Sequence, residues 1–173
     1  MYLIGDIGNS EIKVCLVNSR KQIIKRISFT SKNISLKKIR NNFKSLNQYY
    51  SNINKILFCS VVPKIFRLIK HFLKTKTNTR CFEIKNLDLS SSLKIKVNYN
   101  QVGSDRIANS ISLAKPKKNF IIIDLGTATT FDVLIGKNYV GGIIAPGIKI
   151  SLNTLSDNAT LIPKIDLKKI RKV

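Results

Sequence analysis

Aspartate, glycine and hydroxyl residues occur together at two places in this chain, each time after a short apolar run. The first block is Asp6-Ile7-Gly8-Asn9-Ser10, and the second is Asp124-Leu125-Gly126-Thr127-Ala128-Thr129-Thr130. Glycine adopts positive φ in tight turns and lets the backbone approach an anion, which successive N–H groups then bind. Serine and threonine hydroxyls add donors, and aspartate binds Mg²⁺ that bridges the β- and γ-phosphates. The two blocks predict a pair of facing hairpins that hold a nucleoside triphosphate.

A single block of this kind equally describes an ordinary hairpin turn that is capped by its own aspartate. Its repetition after two apolar strands favours phosphate chemistry over that alternative. Lys13 lies three residues beyond Ser10 on the second strand. It is either a point charge for a phosphate group or one solvated lysine among many.

Acidic residues are scarce, since the 173 residues include 31 Lys and Arg but only 9 Asp and Glu, a net charge of +22. Four of the nine lie inside motifs rich in glycine, serine or threonine, which marks them as functional candidates: Asp6, Asp105, Asp124 and Asp132. The positive charge fits nucleic-acid binding or a general bias of composition. The lysines are spread along the chain and no nucleic-acid-binding motif accompanies them, so we expect no nucleic-acid partner.

Composition narrows the class of protein further. The chain is 43% hydrophobic with a mean hydropathy near zero, which is sufficient for one or two packed domains. No apolar run approaches the roughly 20 residues of a membrane span, and Asp6 and Glu11 interrupt any signal peptide. We therefore expect a cytoplasmic location. His71 is the only histidine and the three cysteines are isolated, which argues against a histidine-dependent triad, a histidine-rich metal site or a disulfide framework.

Hydrophobic periodicity predicts an α/β order of βββαβα, a linker region, and then βββα. We expect strands over 1–6, 12–16, 22–30, 55–62, 79–84, 120–124, 129–135 and 139–145. We expect helices over 35–50, 63–73, 104–114 (with Ser104 as N-cap) and 148–155, and a loop over 87–93. The run 120–124 is continuously apolar, which is typical of a strand buried on both faces. Pro116-Lys117-Lys118-Asn119 is the best boundary, which divides the chain into domains 1–115 and 116–173.

Four ordered blocks of this sequence resemble the signature of the type III pantothenate kinases. They are Asp6–Ser10, Val102-Gly103-Ser104-Asp105-Arg106-Ile107-Ala108-Asn109, the stretch from Asp124 to Asp132, and Gly141-Gly142-Ile143-Ile144-Ala145-Pro146-Gly147. The resemblance runs from Met1 to about Pro163. No single block is specific, but four in the same order are.

The resemblance implies a duplicated actin-like ATPase fold, the RNase H-like fold that acetate and sugar kinases share. It implies a homodimer that phosphorylates pantothenate with ATP to 4'-phosphopantothenate, the first step of coenzyme A biosynthesis. The implied cofactors are Mg²⁺ and a monovalent cation, K⁺ or NH₄⁺. The dimer helix is expected within 148–155.

Residue roles follow from matching positions. ATP contacts are implied for Asp6, Ile7, Gly8, Asn9, Ser10, Glu11, Ile12, Lys13 and Thr127. Pantothenate contacts are implied for Tyr99, Gly103, Ser104, Asp105 and Arg106, with Asp105 as the catalytic base. Asp124 is implied to bind the monovalent cation, and Asp6 to bind Mg²⁺ through water.

Elementary chemistry agrees with the central roles in that assignment. Phosphoryl transfer to a primary hydroxyl needs a carboxylate within hydrogen-bond reach, and Asp105 begins a predicted helix. Arg106 offers a planar fork for the carboxylate of the substrate. On their own, these two residues favour an ordinary helix N-terminus with a surface arginine, and the other three blocks favour the substrate site.

The sequence departs from the family pattern in two places. Tyr99 stands only six residues before Asp105, where the family places its substrate tyrosine further upstream. Family members also continue well beyond 173 residues, so we expect the second domain to be incomplete here. Two other functions stay open: a kinase of the same fold that acts on a sugar or carboxylate, and a non-catalytic accessory protein.

Overall fold

Two β-sheets and four α-helices make up residues 1–159, the part of the chain that the computed structural model describes. The strands are β1 (Tyr2–Ile7), β2 (Glu11–Val17), β3 (Ile23–Thr30), β4 (Lys55–Ser60), β5 (Cys81–Glu83), β6 (Lys94–Ile95), β7 (Asn119–Leu125), β8 (Ala128–Ile135) and β9 (Asn138–Pro146). The helices are α1 (Leu36–Phe43), α2 (Pro63–Lys74), α3 (Ser104–Leu113) and α4 (Ile148–Asn158). The basic segment 163–173, in which the sequence indicates no clear element, lies outside the described residues.

The first sheet has the strand order β3-β2-β1-β4-β5. Strands β1, β2 and β3 form the predicted antiparallel meander, whereas β4 is parallel to β1 and β5 is parallel to β4. The side chains on one face pack against α1 and α2 in a core centred on Phe43, which contacts the rings of Phe29 and Phe72 edge-on. Proline at the first position of α2 is favourable because its missing N–H needs no partner there.

The predicted helix over 35–50 is wrong in its second half. Helix α1 ends at Phe43, and 3₁₀ turns continue over Lys44–Asn52. Buried Phe43, Leu46 and Tyr50 are spaced by three and four residues, a spacing that suits either kind of helix, so the pattern alone could not separate them. The strand expected over 79–84 is likewise shorter, because 3₁₀ geometry replaces it from Ile84.

The second sheet has the order β6-β9-β8-β7, with antiparallel hairpins joining β7, β8 and β9. The short strand β6 follows the expected loop and was not predicted; it pairs in parallel with β9. Helix α3 contacts β4 of the first sheet and β7 and β8 of the second. Its Ile107 is buried with Ile84, Ile122 and Leu134, so residues before position 115 share a core with the second sheet. The boundary at 115 and 116 stays a prediction.

The outer face of β7 is exposed in the described residues. Ile121 is 70% exposed and Ile123 is 57% exposed, while Ile122 faces α3 and is buried. The expectation that this strand is buried on both faces is therefore wrong, because only one face of the sheet is covered over residues 1–159. Helix α4 extends three residues beyond its predicted end and buries none of its side chains. None of the helices in the described residues has the length and apolar character needed to cross a membrane.

Candidate active site

The two predicted hairpins meet in the structure. Ser10 follows β1 and Thr127 follows β7, and their hydroxyl oxygens are 2.7 Å apart although 117 positions separate them in sequence. Each turn is closed by a backbone bond from its glycine, from Gly8 N to Glu11 O and from Gly126 N to Ala128 O, both 3.0 Å. The donors expected to bind phosphate groups thus lie side by side. The first sheet and α3 enclose an opening that is lined by Asp6, Lys13, Cys59 and Ala108.

The glycines of these turns have a different role from the one expected. In the described residues, positive φ among glycines occurs at Gly136 and Gly141, and not at Gly8 or Gly126. A Cβ atom at Gly8 would lie 3.2 Å from Glu11 O, and at Gly126 it would lie 3.6 Å from Ala128 O. The absence of a side chain therefore keeps the backbone accessible, while the turn geometry itself does not demand glycine.

The negative charges of Asp105 and Asp124 act on Asp6, which lines this opening. Burial is the main cause that raises the pKa of Asp6 above its usual 3.8, and the negative charges of Asp105 and Asp124 raise it further. The thiol of Cys59, 3.4 Å from Asp6 Oδ1, and the Lys13 ammonium oppose this shift. Asp124 accepts a hydrogen bond from the Asn109 side chain at 3.1 Å. Strand β1, strand β7 and helix α3 thus each contribute one carboxylate to a region that favours cations.

These carboxylates do not form a ready-made metal cage. Over residues 1–159, no three histidine, cysteine, aspartate or glutamate side chains converge as a metal site. Mg²⁺ keeps several waters and is commonly bound by one or two carboxylates together with substrate phosphates. The arrangement therefore fits a metal that arrives with a nucleotide and contacts Asp6 through water.

Asp105 occupies the first turn of α3 and is half-buried. Gly103, and not the predicted Ser104, is the N-cap residue. One oxygen of Asp105 accepts the N–H of Arg106 at 2.8 Å. A Cβ atom at position 103 would lie 2.4 Å from that same oxygen, so glycine is required for this carboxylate orientation.

Ser104 and Arg106 turn into the protein on either side of Asp105. The Ser104 hydroxyl lies 2.5 Å from Glu83 Oε1 and 3.2 Å from Ser60 O. Arg106 is 7% exposed, and its Nε and Nη2 atoms lie 2.8 and 2.6 Å from Asp132 Oδ1. The guanidinium fork that was expected to face the substrate is thus directed at a buried carboxylate.

Tyr139 completes this buried group. Its hydroxyl donates to Asp132 Oδ1 at 2.6 Å, and both residues are at most 1% exposed. Burial, followed by the hydrogen bond and charge of Asp132, raises the pKa of Tyr139. For Arg106, burial lowers the pKa, but the hydrogen bond and charge of Asp132 outweigh it and raise the pKa overall. Arg106 and Tyr139 therefore stay protonated at neutral pH.

The remaining predicted site residues fall into three groups. Ile7 and Ile12 are fully buried and anchor the first hairpin, while Asn9 at its tip is exposed. Lys13 and Glu11 form an exposed pair at 3.5 Å, which contributes little stability and leaves the lysine able to rearrange. Tyr99 donates to Lys85 O at 2.8 Å.

Sequence reasoning assigned no role to Cys59 or Glu83, which touch Asp6 and Ser104. Glu83 lies outside every motif, so no signal marked it. Asn109, by contrast, stood inside a quoted block and could have been found by asking which side chain of α3 faces Asp124.

Comparison with known proteins places these features in a family. The family model described as type III pantothenate kinase matches residues 2–173. A type III pantothenate kinase from Pelagibacter ubique (strain HTCC1062) is 54% identical over 173 residues, which are 100% of this chain and 70% of that protein. One from Petrotoga mobilis (strain DSM 10674 / SJ95) is 34% identical, with 97% of this chain and 68% of that protein covered.

Solved structures show the same fold. A Baf family protein from Campylobacter jejuni superposes with a TM-score of 0.54 at 21% identity, over 99% of this chain and 68% of that one. A candidate 2-dehydro-3-deoxygalactonokinase from Sinorhizobium meliloti superposes with a TM-score of 0.54 at 6% identity, over 93% and 58%. At such identities the likeness concerns the fold alone, and it confirms the expected actin-like ATPase architecture.

Proposed function

The chain belongs to the type III pantothenate kinase family, whose members phosphorylate pantothenate with ATP in coenzyme A biosynthesis, and we propose that its two hairpins and the first turn of α3 carry out this reaction. The observation that carries the assignment is the Ser10–Thr127 contact of 2.7 Å. It brings hydroxyl donors from both sheets together, and the charges of Asp105 and Asp124 act on Asp6, the carboxylate of the first hairpin.

In this proposal the hairpin residues Asp6–Lys13 and Thr127 bind the phosphates of ATP. The backbone N–H groups and hydroxyls of both turns are positioned before the nucleotide arrives, so little reorganisation accompanies transfer. Mg²⁺, when bound with ATP, neutralises charge on the β- and γ-phosphates. Asp6 would hold that metal through water, and Asp124 would hold the monovalent cation, K⁺ or NH₄⁺.

Asp105 orients the primary hydroxyl of pantothenate and accepts its proton as the phosphoryl group is transferred. Its side chain is half-buried, whereas its neighbours Ser104 and Arg106 are buried and turn inward. The block 103–106 therefore lines the pantothenate site mainly through its backbone and through Asp105. Tyr99, whose hydroxyl donates to the Lys85 carbonyl, is the remaining residue that we propose contacts pantothenate.

We further propose that the active form is a cytoplasmic homodimer. Helix α4 supports this because it buries none of its side chains, and Ile148, Ile150 and Leu155 are 46–51% exposed. Ile148 and Leu155 are seven positions apart and lie on one face of α4, which is suited to pack against a second copy. Sedimentation of the wild type and of Ile148→Asp would test this, since the added charge should yield monomers.

The enzymatic proposal is tested by an assay that couples ADP release to pantothenate, with Mg²⁺ and K⁺ present. Asp105→Asn keeps the side-chain volume but removes the base, and we expect turnover to fall by about 10²–10⁴-fold, the usual contribution of a general base. Asp88→Asn is the matched control, because Asp88 is an exposed aspartate in a different loop. If wild type binds ATP but leaves pantothenate unchanged, the substrate assignment is wrong and another hydroxyl compound must be sought.

A further inference from the structure

The first turn of α3 is tied to both sheets at once, by side chains on either side of Asp105. We propose that Glu83 and Asp132 are positioning residues for Asp105, acting through Ser104 and Arg106 respectively. The inference rests on the proposed role of Asp105 in phosphoryl transfer. It assigns Ser104 and Arg106 to holding the catalytic turn in place, with no direct contact between their side chains and the substrate.

The tie to the first sheet is made by Glu83 at the end of β5. Glu83 is only 9% exposed, and its Oε2 atom accepts the backbone N–H of Lys85 at 2.8 Å. The other oxygen, Oε1, is thus left to accept the Ser104 hydroxyl at 2.5 Å. A carboxylate at a helix N-terminus is also favoured by the partial positive charge there. Glu83 therefore stabilises this end of α3 both by its hydrogen bond with Ser104 and by its charge.

The tie to the second sheet is made by Asp132 in the middle of β8. Its Oδ1 atom receives both Arg106 and Tyr139, the latter from strand β9. The backbone of β9 confines the group, because a Cβ atom at Gly142 would lie 2.4 Å from Arg106 Nη2 and 2.7 Å from Asp132 Oδ1. The guanidinium is thus packed against the backbone of β9 while it is paired with Asp132.

Helix geometry converts these two ties into an orientation for Asp105. Successive residues of an α-helix point about 100° apart, so residues 104 and 106 point in nearly opposite directions with residue 105 between them. Ser104 is held on the first sheet and Arg106 on the second. The direction of the Asp105 side chain then follows from these two contacts. A displacement of 1 Å in a catalytic group can cost about 10²-fold in rate.

The kinetic test uses Asp132→Asn, Glu83→Gln and Tyr139→Phe in the full chain, with Asp88→Asn as the control. A substrate-binding role for Arg106 predicts a higher KM and Kd for pantothenate in Asp132→Asn with kcat nearly unchanged. The positioning role predicts the opposite result. The kcat falls about 10–100-fold in Asp132→Asn and Glu83→Gln, while the Kd of pantothenate measured by calorimetry stays within about threefold of the wild-type value. A rise in KM and Kd at constant kcat would overturn the proposal.

Tyr139→Phe provides a second test of the contact with Asp132 if the Asp132→Asn variant does not fold. It keeps the ion pair and removes a single hydroxyl, and we expect a smaller loss in kcat of about 3–10-fold, the equivalent of one hydrogen bond. An unchanged kcat in both Tyr139→Phe and Glu83→Gln would contradict the positioning role.

A measurement that needs no turnover separates this proposal from the proposed function. If wild type does not phosphorylate pantothenate, the proposed function is wrong. The stability of the first turn of α3 can still be measured by amide hydrogen exchange at Ile107, whose N–H donates to Gly103 O at 3.1 Å. We expect exchange there to rise at least about tenfold in Glu83→Gln and Tyr139→Phe but not in Asp88→Asn. Unchanged exchange would overturn the positioning role whatever the activity.

Discussion

Gly147 leaves no space for a side chain beside the second phosphate hairpin. Its backbone has φ −68° and ψ 158°, which any residue adopts, so conformation is no obstacle to substitution. A Cβ atom, however, would lie 2.4 Å from both Gly126 O and Thr127 O and 2.8 Å from Thr127 C. These are backbone atoms, and the N–H of Gly147 already bonds Thr127 O at 3.1 Å. A Cβ atom at position 147 can therefore be accommodated only if the backbone of the hairpin moves.

The substitution Gly147→Ala should therefore displace the hairpin. To reach even 3.0 Å, each contact must lengthen by about 0.6 Å from its present 2.4 Å, and overpacking of this kind costs typically 1–3 kcal/mol. A loss of about 2 kcal/mol corresponds to a fall in Tm of roughly 4–8 °C for a chain of this size. Thr127 would move with its carbonyl, so we also expect ATP affinity to fall about tenfold.

Calorimetry of unfolding and of ATP binding checks both effects. Gly126→Ala is the control for stability, since its Cβ atom would meet nothing closer than 3.6 Å; it should keep Tm within about 2 °C of wild type. If Gly147→Ala unfolds at the wild-type temperature and binds ATP normally, the hairpin is not packed against Gly147 as the structure has it. If both variants lose stability equally, the loss reflects the glycine itself and not the contact.

Two further predictions concern the same opening. Because the folded-state pKa of Asp6 is raised above 3.8 by burial and by Asp105 and Asp124, its ionised form destabilises the free protein, so stability is lost as pH rises through that pKa. Asp6→Asn should accordingly raise Tm at pH 7, with the gain disappearing at low pH where both side chains are neutral; a gain independent of pH in thermal scans would contradict this. Ser10→Ala and Thr127→Ala should each weaken ATP binding about 10–100-fold, the equivalent of one hydrogen bond to a charged group, while Tm stays within about 2 °C because the bond between the two hydroxyls is exposed. Calorimetric titration with ATP measures this, and unaltered affinity in both variants would remove the hairpins from the nucleotide site.

Local features of this protein could be predicted from the sequence. The hairpin at Gly8, the apolar strands that contain Asp6 and Asp124, and the start of α2 at Pro63 all depend on neighbouring residues, through turn chemistry, apolar patterning and proline geometry. Errors arose where one spacing suits two structures, as in the 3₁₀ turns over Lys44–Asn52. They also arose where burial depends on distant elements, as on the exposed outer face of β7.

The sequence by itself determined which blocks carry the chemistry and in what order, because four motifs with their spacing identify the family without coordinates. Only the tertiary structure decided where their side chains point. Arginine is the residue type that binds a substrate carboxylate, but the Arg106 guanidinium pairs in the interior with Asp132, which lies 26 positions away in sequence. Ser104 had the residue type of an N-cap, yet Glu83 on another strand receives its hydroxyl. A motif specifies donors, acceptors and local backbone, whereas the partner of a buried polar group is chosen by the packing of segments distant in sequence, since an unpaired charge there costs several kcal/mol.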